Sequence, residues 1–333
     1  MKVLVVNHEE VKRYLPMSDC MEAMENALTL LNSGHAMNPL RNVLWLPDKA
    51  GLMAMMPASL SKPAVMGLKA ISVFPGNSKT GFDSHQGVVM LFETRNGRLL
   101  AVIDATEVTA IRTAAVSGVA TRLLAREDAS ELAILGAGTQ ARKHLEAMLE
   151  ARHIKRVRVW NRSLENAERF AENTAGRYHL EVKAVASARE AAAAADIICT
   201  TTSAVEPVLA GGWIAPGTHI NAVGACIPTA RELDSEAVVN SKLYVDRRES
   251  TLAEAGDFII PQKKGRLDAG HIIGEIGELL SGQITGRTGP DDITLFKSLG
   301  LAVEDVAAAQ LLYSKLSETN GGTRVELNAK RGE

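Results

Sequence analysis

The chain has 333 residues, 46% of them hydrophobic, so its length and composition predict roughly two domains with ample apolar side chains for their cores. The formal net charge of −2 and the lack of a basic stripe exclude nucleic acid and an anionic membrane surface as expected partners. The first apolar run is too short for a signal peptide and no run approaches the length of a membrane span, so we expect a soluble, cytoplasmic protein.

The first third of the chain predicts a β-rich unit. Residues 1–30 predict a short strand, a turn over 16–19 and a helix capped by Ser18 or Asp19, whose methionines at helical spacing we interpret as core. Short apolar runs punctuated by Gly, Pro and Asp then predict an antiparallel meander, in which the turn at Asn96-Gly97 indicates a hairpin. The predicted strands are 41–46, 51–57, 67–73, 87–92 and 98–104.

From residue 130 onward the sequence alternates between strands and helices. The predicted strands are 132–135, 157–160, 180–185, 197–200 and 220–223, and the predicted helices are 142–151, 164–173 and 187–195. Such alternation indicates right-handed βαβ crossovers and a parallel sheet. The sequence therefore predicts an α/β protein, with a Rossmann-type doubly wound parallel sheet plus a β-rich α+β domain.

A G-x-G-x-x-A turn follows the strand 132–135 and opens the next helix. In dinucleotide-binding folds the first glycine, here Gly136, permits the tight turn, and the second, Gly138, lets the backbone approach a pyrophosphate. The small side chain of Ala141 lets the helix pack closely on the strand. A second strand follows about twenty residues later, as the fingerprint requires. We therefore predict a dinucleotide whose pyrophosphate rests on the helix N-terminus.

The residues after the strand 157–160 bear on the choice of coenzyme. An acidic residue there would favour NAD(H), but this chain has Asn161, Arg162 and Ser163. A guanidinium can bind phosphate oxygens with two donors, so the loop favours the 2′-phosphate of NADP(H), with NAD(H) as the possible alternative. The competing interpretation is that Arg162 is a solvated surface charge and that Ser163 merely caps the helix beginning at Leu164.

Three basic residues stand out in apolar segments near the N-terminal third. Arg41 opens a predicted strand, Lys69 interrupts another, and Arg112 lies within the run Thr109–Ala115. Singly, each is explained as a strand edge or a solvated stem. Together they predict a clamp for a carboxylate, made of forked guanidinium donors and one ammonium.

The three cysteines, Cys20, Cys199 and Cys226, are widely spaced and contain no C-x-x-C pair. This pattern argues against a disulfide framework and against a structural zinc site, and we predict no bound metal. We expect Cys20 and Cys199 to be small buried core residues.

Seven ordered motifs, spread over essentially the whole chain, resemble the ornithine cyclodeaminase/mu-crystallin family. They are Pro39-Leu40-Arg41, Gly67-Leu68-Lys69, Ser84-His85-Gln86-Gly87, Thr109–Ala115, Leu135-Gly136-Ala137-Gly138, Asn221-Ala222-Val223-Gly224 and Ser298-Leu299-Gly300. The run Trp160–Ser163 further resembles the NADPH-binding mu-crystallin branch of the family, which also reduces cyclic ketimines.

The resemblance implies a homodimer in which β-rich domains join across the interface. It divides the chain into a substrate-binding and dimerisation domain, 1–115 completed by 302–333, and a Rossmann domain, 116–301. By the same analogy Arg41, Lys69 and Arg112 hold the substrate carboxylate beside the nicotinamide, and Glu254 lies near the ligand pocket. The residues expected to contact the cofactor are Ser84, His85, Thr113, Thr139, Gln140, Thr202, Ser203 and Val223, with Lys297 and Ser298 in a loop near the nicotinamide.

The chain departs from the family pattern at Cys226. Ornithine cyclodeaminases carry an aspartate a few residues beyond the Asn-Ala-Val-Gly motif, and this sequence has Cys226 where that carboxylate is expected. A thiol near its ordinary pKa is mostly neutral at pH 7 and does not bind an ammonium group as a carboxylate does. The substitution argues against cyclodeamination and leaves Cys226 as a candidate substrate contact.

Reduction of an imine is the function that these features predict. Arg41 and Arg112 would fix the carboxylate of a small imino acid, preferably a cyclic ketimine such as Δ1-pyrroline-2-carboxylate or Δ1-piperideine-2-carboxylate. Lys69, whose pKa the two arginines are expected to lower, is the candidate proton donor or positive charge. The alternatives are an alanine-dehydrogenase-like enzyme, an ornithine cyclodeaminase, and a non-catalytic, crystallin-like NADPH-binding protein.

Overall fold

The computed structural model describes residues 2–319 and 321–327, and the last six residues of the predicted C-terminal segment, 328–333, lie outside the described residues. The chain divides into two compact units. The first is Met1–Arg112 with Leu301–Glu333, and the second is Thr113–Gly300. We predicted domain boundaries after residues 115 and 301. In the structure the boundaries between the two units lie after residues 112 and 300.

The regular elements follow one another along the chain in this order. The strands are β1 (Lys2–Val6), β2 (Ala36–Met37), β3 (Asn42–Trp45), β4 (Leu52–Ser61), β5 (Ala64–Val73), β6 (His85–Glu93), β7 (Leu99–Asp104), β8 (Glu131–Leu135), β9 (Arg156–Trp160), β10 (Glu181–Ala184), β11 (Ile197–Thr200), β12 (His219–Ala222), β13 (Lys242–Val245), β14 (Ile272–Glu275), β15 (Thr294–Lys297) and β16 (Thr323–Glu326). The helices are α1 (His8–Tyr14), α2 (Met17–Asn32), α3 (Ala105–Leu124), α4 (Thr139–Ala151), α5 (Leu164–Tyr178), α6 (Ala188–Ala192), α7 (Ser235–Val239), α8 (Arg248–Glu254), α9 (Gly256–Lys263), α10 (Ile276–Leu280) and α11 (Ala302–Glu318).

The first unit is built on one mixed sheet with the order β16-β1-β7-β6-β5-β4-β2, and β3 pairs with β4 outside this path. The strands β3 to β7 form the predicted antiparallel meander, and the hairpin turn occurs at Gly97, whose φ is +74°. Helices α2 and α11 pack against each other, and α11 packs on β4, β5 and β6. Met21 and Met24 are fully buried, as predicted for core residues.

The N-terminal helices differ from the prediction. Helix α1, which we did not predict, begins with a capping box in which Asn7 and Glu10 satisfy each other's backbone N–H groups. Helix α2 begins at Met17 with Pro16 as its N-cap, so the prediction of a cap at Ser18 or Asp19 was wrong. Proline fixes its own φ near the value needed to start a helix, and this moved the start toward the N-terminus.

The second unit is a parallel sheet of eight strands with the order β10-β9-β8-β11-β12-β15-β13-β14. The order reverses between β8 and β11, which is the switch point of a doubly wound fold. The predicted α/β class is therefore confirmed, with a Rossmann-type sheet and a second, β-rich unit. Three strands of this sheet, β13, β14 and β15, were not predicted.

The central strands of this sheet are buried on both faces. Strands β11 and β12 are fully buried along their length, as parallel strands covered by crossover helices require. Cys199 on β11 and Cys20 on α2 are both completely buried, and burial raises the pKa of the Cys199 thiol to about 12. Across residues 2–319 and 321–327, no helix has both the length and the apolar character needed to cross a membrane.

Candidate functional site

The glycine turn between β8 and α4 has a shape that fits a pyrophosphate. Gly136 has φ +120°, and a Cβ atom there would lie 2.8 Å from the carbonyl oxygen of Thr201, so the turn requires glycine. Gly138 is the N-cap of α4, and a Cβ atom there would meet no other described part of the chain within 4 Å. This open space faces the first N–H groups of α4, which have no acceptor within the helix. Ala141 is fully buried against the strand.

The next two predicted residues form the first turn of α4. Thr139 is exposed at the helix start, and its hydroxyl accepts a hydrogen bond from Arg142 Nη2 at 3.1 Å. Gln140 is half-buried, and its carbonyl oxygen lies 2.8 Å from His144 Nδ1. Both residues therefore lie at the helix end that carries the free N–H groups.

The loop between β9 and α5 presents the predicted coenzyme-selecting residues. Arg162 is exposed, and within residues 2–319 and 321–327 its side chain has no hydrogen bond or ion pair. Ser163 is the N-cap of α5, but its side chain makes no capping hydrogen bond. Asn161 Nδ2 donates to the carbonyl oxygen of Ser163 at 3.2 Å, which orders the loop. The guanidinium and the serine hydroxyl are thus available to an anionic ligand.

The carboxyl ends of β11 and β12 bring together further predicted cofactor residues. Thr202 and Ser203 follow β11, and Val223 follows β12 with its N–H donating to the carbonyl oxygen of Thr200 at 3.0 Å. Thr202 is bound through its N–H and its hydroxyl to one carboxylate oxygen of Glu232, at 2.6 and 2.7 Å. Glu232 is fully buried and was not among the predicted residues.

Lys297 lies in a different place from the one predicted. It is the last residue of β15 rather than a loop residue, and it is buried. Its Nζ lies 3.0 Å from Asp257 Oδ2 and donates to the carbonyl oxygen of Ala222 at 3.2 Å. Burial disfavours the charge of Lys297, but the nearby Asp257, Cys226 and Glu232 outweigh that effect and raise its pKa. Lys297 is therefore a buried, charged group at the carboxyl end of β15, an interior strand of the sheet.

The remaining predicted residues of this unit lie on several different elements. Ser298 directly follows β15, is buried, and donates its N–H to the carbonyl oxygen of Ala222 at 3.0 Å. Cys226 is partly exposed, and its Sγ donates to the carbonyl oxygen of Val223 at 3.4 Å. Glu254 is the half-buried last residue of α8. Thr113, also buried, is the first residue of this unit along α3.

The first unit holds a buried cluster of four charged side chains. Lys69, on β5, is 1% exposed, and its Nζ lies 2.7 Å from Asp305 Oδ2. Arg112, on α3, is 3% exposed and donates from Nε to Asp305 Oδ1 and from Nη1 to Glu304 Oε2, each at 2.8 Å. The two cations are thus matched by two carboxylates from the first turn of α11, which orients both cations.

Sequence reasoning missed Glu304 and Asp305. They lie 192 and 193 residues from Arg112, a separation that spacing arguments do not reach. The sequence did contain one local signal of their importance. Two adjacent acids interrupt the apolar run Ala302–Ala309. Buried carboxylates need partners, so such a pair predicts cations elsewhere in the fold.

Lys69 has the depressed pKa that we predicted. Burial is the largest cause, and Arg112 and Arg41 add like-charge repulsion, whereas Asp305 opposes them. Together these effects lower the pKa of Lys69 to about 8. Arg41 itself is half-exposed and directly precedes β3. The cluster therefore contains an ammonium group poised to release its proton near neutral pH.

Ser84 and His85 also belong to this unit. His85 is the first residue of β6, and the Ser84 hydroxyl lies 3.0 Å from His85 Nδ1. Burial and the charge of Lys69 lower the pKa of His85, and Asp83 partly opposes them. A lowered pKa favours the neutral imidazole, and the charge of Lys69 is one of its causes.

The fold and these groups define a class of protein. A parallel sheet whose order reverses beside a glycine turn is a dinucleotide-binding fold, and the second, β-rich unit contributes a buried, charge-matched cluster around a lysine of lowered pKa. Acidic and cysteine-histidine clusters that could hold a metal ion are lacking among residues 2–319 and 321–327. This combination is that of an enzyme acting on a small, charged substrate with a dinucleotide.

The chain belongs to the ornithine cyclodeaminase/mu-crystallin family, whose model matches residues 1–320. It is 42% identical to mouse ketimine reductase mu-crystallin over 313 residues, covering 93% of this chain and 96% of the mouse protein. It is also 42% identical to the solved structure of Thermococcus litoralis Δ1-pyrroline-2-carboxylate reductase in complex with NADH and L-proline, with a TM-score of 0.95 and coverage of 97% and 100% of the two chains. An archaeal alanine dehydrogenase dimer with bound NAD is 33% identical, with a TM-score of 0.93 and coverage of 98% and 100%.

Proposed function

We propose that the protein is an NAD(P)H-dependent reductase of the C=N bond of a small imino acid, preferably a cyclic ketimine, and that its product is an L-amino acid. The observation that carries this proposal is the buried ammonium of Lys69, held by Asp305 next to Arg112. The family membership supports it, because relatives at 42% identity are a ketimine reductase and a Δ1-pyrroline-2-carboxylate reductase.

Each member of the basic trio has its own role in this reaction. Arg112 commits Nε and Nη1 to Asp305 and Glu304, and a guanidinium has five N–H donors, so its other donors bind the substrate carboxylate together with Arg41. Lys69 delivers a proton to the imine nitrogen. When bound, the nicotinamide supplies the hydride that the imine carbon receives. The C=N double bond thereby becomes a C–N single bond, with one new C–H and one new N–H bond.

The cofactor would be held by the second unit. The Gly138 backbone and the first N–H groups of α4, beside Thr139 and Gln140, would hold the pyrophosphate. Arg162, with Asn161 and Ser163, would bind the 2′-phosphate, so we propose NADP(H) as the preferred coenzyme, with NAD(H) used less well. The relatives whose structures contain NADH or NAD make the comparison of both coenzymes essential.

Alanine-dehydrogenase-like activity is the second candidate, because the archaeal relative at 33% identity carries that name. It would use the same carboxylate clamp on the imine formed from a keto acid and ammonia. Ornithine cyclodeamination is disfavoured, because Cys226 offers a thiol where the family's cyclodeaminases carry a carboxylate. A non-catalytic, NADPH-binding role would not require the buried charges of Lys69 and Arg112.

A screen of substrates tests the proposal. The purified protein is mixed with NADPH or NADH and with Δ1-pyrroline-2-carboxylate, Δ1-piperideine-2-carboxylate, pyruvate plus ammonia, or ornithine, and cofactor oxidation is followed by absorbance. We expect the cyclic imines to give the highest kcat/KM, with NADPH ahead of NADH. Faster turnover of pyruvate plus ammonia would favour the dehydrogenase. Ammonia release from ornithine without net NADPH oxidation would favour the cyclodeaminase, and tight NADPH binding with no turnover would refute an enzymatic role.

A further inference from the structure

The buried carboxylate of Glu232 accepts four hydrogen bonds, from the last residue of β11 and from the loops that follow β11 and β12. Its Oε1 accepts from the N–H and the hydroxyl of Thr202, at 2.6 and 2.7 Å. Its Oε2 accepts from the Thr200 hydroxyl at 2.7 Å and from the Gly224 N–H at 2.6 Å. A carboxylate has about four lone-pair positions, so all of its capacity is used. One side chain therefore joins the loop after β11 to the loop after β12.

Glu232 is itself held in place by Asp257 and Lys297. Asp257 Oδ1 accepts hydrogen bonds from the backbone N–H groups of Glu232 and Leu233, at 2.8 and 2.9 Å. Asp257 Oδ2 lies 3.0 Å from Lys297 Nζ, which also donates to the carbonyl oxygen of Ala222. These residues are at most 2% exposed, so water does not compete for their contacts.

The network fixes the backbone on both sides of Val223. The carbonyl oxygen of Ala222 is bound by Lys297, and the N–H of Gly224 is bound by Glu232. The backbone is also closely packed here, because a Cβ atom on Gly224 would lie 2.0 Å from the carbonyl oxygen of Thr202. The position of Val223 relative to Thr202 is therefore fixed.

These loops lie on the nicotinamide side of the sheet. In a doubly wound fold the dinucleotide crosses the switch point, and the adenosine ribose lies at the end of the second strand, here β9. The other half of the cofactor must then lie over β11 and β12, on the opposite side of β8. Thr202 and Val223, in the loops that follow these strands, would face that half.

We propose that Glu232, supported by Asp257 and Lys297, is a positioning residue that sets the nicotinamide ring in its reactive orientation through Thr202 and Val223. It does not touch the reacting atoms itself. The inference rests on the proposed function only in its use of a nicotinamide cofactor. It makes Lys297 part of this buried support rather than a direct contact in a loop.

Glu232→Gln tests the proposal with little change of shape. An amide has one acceptor oxygen, so its NH₂ group must face either the Thr202 N–H or the Gly224 N–H, and one loop is released. Dissociation constants are measured for NADPH and for 2′-phospho-ADP-ribose, the same cofactor without nicotinamide. We expect the Kd of NADPH to rise about tenfold while that of 2′-phospho-ADP-ribose stays within about twofold. A misplaced ring should also lower kcat by about 10- to 100-fold.

Asp196→Asn is the matched control. Asp196 directly precedes β11, at the opposite end of that strand from Thr200, and its carboxylate accepts from the N–H groups of Ser130 and Glu131 and from Arg126. This variant should lower the melting temperature without changing the ratio of the two dissociation constants or kcat. Equal effects of Glu232→Gln on NADPH and 2′-phospho-ADP-ribose, or none, would reduce Glu232 to a structural role and overturn the proposal.

A second variant covers the case in which Glu232→Gln does not fold. Asp257→Asn keeps one oxygen for the N–H groups of Glu232 and Leu233 but loses the ion pair with Lys297. We expect the same selective loss of NADPH affinity, and a non-selective loss would contradict the proposal. Neither dissociation constant requires turnover. A wild-type protein that binds NADPH but reduces no imino acid therefore refutes the reductase function and leaves this test intact.

Discussion

The ammonium group of Lys69 is buried away from water, and the charges of the neighbouring residues influence its protonation state. Burial and the two arginines favour the neutral amine, while Asp305 favours the ammonium, and the balance sets a pKa of about 8. A group with this pKa is mostly protonated at pH 7 yet gives up its proton at small cost. The residue thus combines the two properties that an acid catalyst needs.

The pH dependence of the reaction should report Lys69. In the proposed mechanism the protonated form of Lys69 is the active one in imine reduction, so kcat/KM for the imino acid should be level below pH 8 and fall above it. In the reverse direction, oxidation of the amino acid needs Lys69 as the neutral amine. Its kcat/KM should therefore rise over the same pH range. Lys69→Arg keeps its charge to higher pH, and the descending limb should move upward. The substrate's own titration is common to both proteins, so a limb that does not move would contradict the assignment.

Removing the ammonium group of Lys69 should lower kcat but leave cofactor binding nearly unchanged. We expect Lys69→Met to lower kcat by about 10²–10⁴-fold, the range of a general acid, because no other group in the cluster donates a proton so readily. The Kd of NADPH, measured by fluorescence titration, should stay near the wild-type value. A large loss of NADPH affinity would show that Lys69 has a different role.

Arg162 allows a test of the coenzyme preference. Arg162→Ala should raise the Kd of NADPH about tenfold or more, which corresponds to ~1.5–3 kcal/mol for a lost charge-assisted hydrogen bond, and should leave NADH nearly unchanged. Arg169→Ala is the control, since Arg169 is an exposed arginine of α5 that pairs with Glu165. Equal losses for the two coenzymes would refute the assignment of Arg162 to the 2′-phosphate.

At the scale of secondary-structure elements, the sequence predicted those elements whose formation depends on residues close together in the chain. The hairpin at Gly97, the strand-turn-helix around Gly136 and the strand β11 follow from turn chemistry and periodicity over a few residues. Strands β13 to β15 are as short as β11, but no helices were predicted between them, so the sequence showed no alternating pattern there and tertiary pairing decides their state. Asp305 and Glu232 were missed for the same reason, because their partners are assembled only by the fold.

The strand-turn-helix element makes a prediction about Gly138. Because a Cβ atom there would meet only open space in the protein, Gly138→Ala should cost at most about 1 kcal/mol of stability, the size of an N-cap effect. The added methyl would occupy the space of the pyrophosphate, so the Kd of NADPH should rise about tenfold or more. Gly176→Ala, in α5, is the control, and it should raise stability by about 0.5–1 kcal/mol without affecting the Kd. Unchanged NADPH affinity in Gly138→Ala would place the pyrophosphate elsewhere.

At the scale of the whole molecule, the outer strands of the first unit leave an apolar surface in contact with solvent. Leu44 on β3 and Met53 on β4 are directly opposite each other in the antiparallel register, and they are 60% and 46% exposed. Met37 and Met66 on neighbouring strands are 68% and 40% exposed. An apolar surface of this kind on a sheet is typical of a protein interface. It favours the homodimer through β-rich domains that the family resemblance implies, and the relative described as a dimer supports it.

A single charge at this surface should separate the subunits. A symmetric interface places each residue of the patch near its twofold-related copy, so Leu44→Glu introduces two carboxylates into an apolar contact and neither has a partner. We expect the wild type to have the mass of a dimer by light scattering and Leu44→Glu to have that of a monomer with an unchanged circular dichroism spectrum. Ile273→Glu, at an exposed apolar residue of β14 in the second unit, should stay dimeric. A monomeric wild type, or a dimer that tolerates Leu44→Glu and separates with Ile273→Glu, would assign the interface to another surface. The Kd of NADPH measured on the monomer then distinguishes a dimer needed for cofactor binding from one that serves stability alone.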